Sequence, residues 1–402
     1  MRNYFLSAIA LLFCGTMVFA QSNNSRTVQE GEGNLALVAQ FGELNRSRVF
    51  QNDQNRATTG GVDNEAYVNQ TGFRNKSLIK SAGDRNLADV LQNGRRNDAE
   101  IDQGVGWAED NTATVDQDGR RNTSYQKQRY DNNSANVIQD GNDNDAVQDQ
   151  STGSNQAVGN EADAEQIGND NVSYQLQRGP GNDADVTQMG DDNDAYQDQD
   201  GSDHWAVSEQ TGDDNTSTQT QTGFANWAFT YQTGDGNTST QTQGGFINDA
   251  YVYQDGDDNT ATQTQGGGGF NYAESDQDGD GNTSDQIQDG GGNTALVTQD
   301  GDDNYAGQGQ DGGGNYATTT QRGNGNIAAG LQIGTINTSD VLQRGDDNGS
   351  LIFQGGFDNY SRMRQRGDGN GAASAQLGSF NTSIINQLGN GNLAATLQVG
   401  GI

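Results

Sequence analysis

Along most of this chain, small or apolar positions alternate with polar ones at a period of two, and the alternation is broken every eleven residues by glycine and acidic residues. The stretch from Asn237 to Asp258 displays the rule twice, as NTSTQTQGGFI and NDAYVYQDGDD, each obeying N-x-[A/S]-x-x-x-Q-x-G-x-x. About thirty copies follow it, from Asn34 almost to Ile402. Self-similarity at a fixed period decides the architecture before any other motif is weighed. A period of two puts Asn, the second residue after it, the fourth and the sixth on one face of a strand. That face must point inward, because its opposite holds charges such as Asp98, Glu100 and Asp102. The glycines and acids after each Gln supply turn chemistry. The pattern therefore predicts an all-β fold of strands about seven residues long joined by turns of about four, stacked as a β-solenoid.

The fourth position shows that the true period is twenty-two. It is Gln at Gln126, Gln148, Gln175, Gln197, Gln219, Gln241, Gln263, Gln286 and Gln308, while intervening units place Val137, Val186, Val252, Val297, Ser208 or Thr230 there. One Gln-type and one Val-type strand make a rung, so two parallel sheets face each other. About sixteen rungs at roughly 4.8 Å give a stack on the order of 75 Å long. Register slips fall around residues 52–63, after Gln103, at 155–160 and before Asn271, as a stack of rungs allows.

A buried amide is costly unless it is paired, and recurrence in every rung lets each amide bond to its copies above and below, as in cross-β structure. The candidate ladder and self-assembly residues are Asn215, Gln221, Asn226, Gln232, Asn237, Gln243, Asn248, Gln254, Asn259 and Gln265 in mid-chain. Near the end they are Asn381, Gln387, Asn392 and Gln398. An unblunted last rung exposes an unpaired strand edge. The last unit has no helix, Pro or charge cluster to blunt it, and terminal copies carry more Leu, Ile and Phe. End-to-end self-association is the expectation.

Composition sharpens this picture. Only 30% of the chain is hydrophobic, which points to a thin, partly polar core. Such a chain would count as disordered on composition alone, but disordered chains are Pro-rich and aperiodic, and this one has a single Pro. A net charge of −34 argues against nucleic acid and anionic membranes as partners. Residues 1–20, with Arg2, an apolar run from Phe5 and small Ala20, read as a secretory signal. The only cysteine, Cys14, lies within it. Residues 21–33 read as a flexible leader and 34–402 as the repeat solenoid, with no later apolar run long enough to span a bilayer.

The order Gln243, Gly245, Asn248, Ala250, Gln254 recurs in most rungs of residues 34–402 and resembles the repeat of curlin, the major subunit of bacterial curli. The resemblance implies a secreted, extracellular subunit that folds into a β-solenoid and polymerises into amyloid fibres for adhesion and biofilm matrix. It also implies curli-type secretion and nucleation proteins as partners. The chain departs from typical members in its number of repeats and its acidity.

No enzyme chemistry, cofactor or metal is expected. His204, the only histidine, occupies an Asn ladder position and reads as a substituted repeat residue rather than a general base. The DGDDN turns from Asp255 and Asp300 resemble oxygen-rich Ca²⁺ loops, but their spacing is not that of Ca²⁺-binding repeats and solvated turn acids are the expectation. Two alternatives stand beside fibre formation. One is an adhesive surface solenoid that does not polymerise. The other is an ice-binding face on the Thr grid of Thr216, Thr218, Thr220, Thr238, Thr240, Thr242, Thr260, Thr262 and Thr264, although Thr favours strands in any case.

Overall fold

The computed structural model describes residues 22–51, 61–105, 108–153 and 157–400. They form 33 strands, from β1 (Asn24–Gln29) to β33 (Leu393–Gly400). The signal segment, Cys14, Ile402 and most of the slips at 52–60, 106–107 and 154–156 lie outside the described residues. Odd-numbered strands build one parallel sheet of 17 and even-numbered strands a second of 16. In mid-chain the register advances by twenty-two residues: β17 (Thr216–Phe224) pairs with β19 (Thr238–Phe246) through Gln219↔Gln241 and Gln221↔Gln243. Across the first slip, β2 (Leu35–Glu43) still aligns Ala36 with Ala66 and Gln40 with Gln70. The ladder resumes in phase after the slip.

Strand formation follows from the alternation. In β20 (Asp249–Asp255) the side chains of Ala250, Val252 and Gln254 are fully buried while Tyr251 and Tyr253 face outward. The second position is Ala or Ser because the sheets meet there. Ser217 and Ser284 are buried with no partner for their hydroxyls, so small size rather than polarity selects the residue. The fourth position changes along the stack. Val49, Ile79 and Ile101 meet Val68, Val90 and Val115 in an apolar cluster near the first rungs. Val341, Ile352, Met363 and Ile385 form another near the last. Between them the odd-numbered sheet carries Gln from Gln126 to Gln308, while the even-numbered sheet keeps Val or a small residue such as Ala164, Ser208 or Thr230.

The stack begins earlier than the leader reading places it. β1 lies within residues 21–33 and pairs in parallel with β3 (Arg46–Gln51), matching Ser25 to Ser47 and Gln29 to Gln51. Residues 23–31, NNSRTVQEG, obey the repeat rule from Asn23 through Gln29 to Gly31. They add a strand where a flexible leader was expected.

The glycine two residues after most ladder Gln residues does more than open a turn. Gly223 has φ +106°, and a methyl group built there would overlap the carbonyl oxygen of Gly245 in the next rung. A side chain at this site would collide with main chain, which cannot swing aside as a flexible side chain can.

Candidate functional site

Gln221 shows what one inward amide does. Its Nε2 donates to Gln243 Oε1 of the next rung at 2.9 Å, and its Oε1 accepts from Gln199 Nε2 of the rung before at 3.0 Å. The same Nε2 donates across the core to the carbonyls of Trp205 and Asn226, at 2.9 and 2.8 Å. One side chain thus links neighbouring rungs and ties one sheet to the other. The two carbonyls flank successive strands of the opposite sheet, so each strand sits at a height between two strands facing it.

The other candidates repeat the scheme. Gln232, Gln243, Gln254 and Gln265 donate to Gln254, Gln265, Gln277 and Gln288, each at 2.9 Å. All of these bonds run one way, with Nε2 aimed at the C-terminal neighbour. In β32 (Thr382–Leu388) and β33, Gln387 and Gln398 accept from Gln365 and Gln376, and their own Nε2 groups reach only the carbonyls of Gly371 and Thr382. At the opposite end Gln29 and Gln40 donate to Gln51 and Gln70. One end of the described stack therefore presents donors and the other acceptors. In one column the run is interrupted at Ser81, whose hydroxyl donates to Gln103 Oε1 at 3.1 Å.

Asn makes the expected amide-to-amide bond at Asn215, Asn381 and Asn392, whose Nδ2 groups donate to Asn193, Asn359 and Asn370 Oδ1 at 3.1, 2.9 and 2.9 Å, and it adds bonds to the main chain. The Oδ1 of Asn215 accepts the backbone N–H of Asn237, and that of Asn237 accepts the N–H of Asn259, both at 3.0 Å. The Nδ2 groups of these two residues donate to the carbonyls of Gly234 and Gly256 in the turns of the next rung. Asn226, Asn248, Asn381 and Asn392 repeat parts of this scheme. A carboxylate would lack the donor, which explains Asn rather than Asp.

His204 confirms that rule by exception. Its Nδ1 accepts the N–H of Asn226 at 3.2 Å in place of the missing Oδ1, and its own N–H donates to Asn182. Burial holds its pKa below the ordinary value against weaker opposing contributions. The ring is a neutral spacer in an Asn column.

The turn acids also carry structure. From Asn169 to Asn390, one edge bears a column in which each carboxylate or amide Oδ1 accepts the backbone N–H of the preceding rung. Asp191 N–H to Asp213, Asp213 to Asp235 and Asp235 to Asp257 span 2.8–2.9 Å. These side chains are exposed but not idle. Among the described residues no group of three or more His, Cys, Asp or Glu is placed to hold a metal ion.

On the outer faces, the Thr grid lies in register on β17, β19 and β21 (Thr260–Gly267). It borders Asp194, Tyr196 and Asp198 on one side and Asp285 and Ile287 on the other. The opposite sheet carries an aromatic patch over four strands. Trp205 meets Trp227 edge to face at 5.1 Å, Phe229 touches Tyr251 and Tyr253, and Tyr251 touches Tyr272. Trp205 and Trp227 are 40% and 45% exposed.

Beside that patch, β12 (Glu161–Asn169) and β14 (Asp183–Met189) stack Glu161 over Asp183 and Asp163 over Asp185. Burial pushes Asp183 up to about 7, helped by Asp185, Glu161 and Asp163. Asp185 is pushed up to about 6, again by burial first and then by Asp163 and Glu161. A carboxyl whose folded pKa is raised stabilises the fold fully below the unfolded pKa, and that contribution is lost as pH rises through the folded value. These rungs should therefore be more stable at pH 5 than at pH 8. Hydrogen exchange across β12–β14 measures this, and Asp183→Asn with Asp185→Asn should abolish most of the difference.

A family model described as the curlin associated repeat matches residues 83–106 and 159–190. A search of curated proteins returns no significant match.

Proposed function

From the premise that the chain is a curlin-like repeat protein, we propose that it is a secreted structural subunit that polymerises end to end into extracellular, curli-like amyloid fibres. The observation that carries this reading is the polarity of the Gln ladders. The described stack offers Gln387 and Gln398 Nε2 groups at one end and Gln29 and Gln40 Oε1 groups at the other. Among the described residues, both ends of the stack also present unpaired strand edges, which act as templates for another chain. A head-to-tail contact of this kind does not close on itself and propagates as a filament. Within the fibre, the ladder residues from Asn215 to Gln398 extend their columns from one molecule to the next.

On this reading residues 1–20 direct export, curli-type secretion and nucleation proteins assist it, and the fibre serves adhesion and biofilm matrix. Exposed aromatic patches mark interaction sites. The face around Trp205, Trp227 and Tyr253 is where the fibre would touch other surfaces, and it equally supports an adhesive solenoid that stays monomeric. The chain from Gln21 to Ile402 should form thioflavin-positive fibres that diffract with reflections near 4.7 and 10 Å. A soluble monomer persisting for days at high concentration would decide for the adhesive solenoid. Thermal hysteresis in that monomer would turn the assignment to the Thr grid.

A further inference from the structure

The first and last described strands, β1 and β33, lie in the same sheet, because 33 strands make sixteen rungs and a half. This parity has a consequence for the head-to-tail contact proposed above, on which the inference rests. If the next molecule docked in the same orientation, its β1 would pair with β33. Its β2 would then sit two strand positions beyond β32 in the other sheet. One strand position would be empty at every junction, leaving the backbone edges of β32 and β2 unpaired on both sides of the gap. Unpaired main-chain groups of that kind are costly.

We propose that successive molecules are instead related by half a turn about the stack axis, so that β1 of one copy docks on β32 of the last and β2 docks on β33. Both sheets are built from the same eleven-residue rule, so an odd strand can continue an even column. The half-height stagger of facing strands, visible in the two carbonyls that Gln221 reaches, places β32 half a rung below β33, where a further strand fits without a gap. In this junction Gln387 donates to Gln29 and Gln398 to Gln40. Asn381 and Asn392 accept the N–H groups of Asn23 and Asn34.

The outward residues supply a second, independent argument. Setting Asn34 over Asn392 puts Leu35 over Leu393, Leu37 over Ala395, Ala39 over Leu397 and Phe41 over Val399. Most of these are exposed large apolar side chains in the described stack: Leu37 at 55%, Phe41 at 44%, Leu393 at 89%, Leu397 at 72% and Val399 at 73%. Same-face neighbours on adjacent strands are the unit of sheet stabilisation, and here the apolar ends cover each other. Docking without the half turn would instead lay Asn24, Arg26, Val28 and Glu30 over Leu393, Ala395, Leu397 and Val399, leaving one apolar pair where the half turn makes four. The two most apolar outer faces of the terminal strands belong to β2 and β33, and only the half turn joins them.

The test compares helical reconstructions of fibres grown from two chains, residues 21–402 and residues 21–391. The shorter chain lacks β33 and has an even number of strands. The rotation per subunit should differ by about half a turn between the two fibres, with a rise of about 79 Å for the longer chain. A second measurement needs no truncation: gold bound to Ile287→Cys, which is 49% exposed on the odd sheet, should alternate between opposite sides along the 21–402 fibre once the stack's twist is subtracted. Equal rotations, labels on one side, or a missing strand at each junction would overturn the half turn while leaving polymerisation intact. If the longer chain forms no fibres, both readings fall together.

Discussion

Replacing Gly223 by alanine is expected to destabilise the surrounding rungs by about 3–5 kcal/mol. Two effects add. The residue sits at φ +106°, a conformation that L side chains rarely adopt. The new methyl group would also overlap the Gly245 carbonyl oxygen, which belongs to main chain held in the next rung. Gly244 is the control. It lies in β19, and a methyl group there would find Thr222 Oγ1 at 3.6 Å as its nearest neighbour. Gly244→Ala should therefore change stability by less than about 0.5 kcal/mol. The urea midpoint and hydrogen exchange in β17–β19 separate the two cases. Equal effects would show that the column of glycines is only turn chemistry.

Gln221→Ala should be nearly as damaging, at about 3–5 kcal/mol. The substitution removes the donor to Gln243 Oε1 and the acceptor of Gln199 Nε2, and it leaves a cavity between the sheets. Both partners are buried and out of reach of water. Depth along the stack sets the cost, so Gln398→Ala provides the contrast. Gln398 has one ladder neighbour, Gln376, and lies in a strand open to solvent, so its loss should cost about 1 kcal/mol. A solenoid is held by nearest-neighbour terms. Accordingly, the Gln221 defect should appear in hydrogen exchange as local opening around β17, while rungs near either end keep their protection. Loss of protection along the whole chain would contradict this.

Much of the architecture could be read from residue order, because one rule is repeated with so few exceptions. The alternation of Gln241 with Val252 distinguishes a rung of two unlike strands from two equal units, and the pairing places these residues in separate sheets. The inward face was legible because charges appear only on its opposite. What escaped was chemistry whose partner lies in another rung. Nothing in the local sequence around Asp213 says that its carboxylate accepts the N–H of Asp191, so the turn acids read as solvated. Gly223 looks like an ordinary turn glycine until the carbonyl of Gly245 is brought against it. The Asn column was read by analogy with Gln; the amide-to-amide bond is there at Asn215, Asn381 and Asn392, but the analogy did not foresee that Oδ1 also accepts the main-chain N–H of the next rung. The copy at Asn23 was hidden by composition, since Arg26, Glu30 and Glu32 make the segment look like a tail although its spacing is that of every other strand.

The advance of twenty-two residues per rung also governs how the chain reaches this state. Each strand needs a partner that lies only one rung away along the chain, and the longest step, across the first slip, is thirty residues. Closing such loops is fast and loses little entropy compared with pairing distant segments. A parallel sheet of 17 strands would ordinarily be among the slowest structures to assemble, yet here every pairing is local. The chain can therefore zip in order of emergence, each new rung templated by the one before, with no need for the far end to be present.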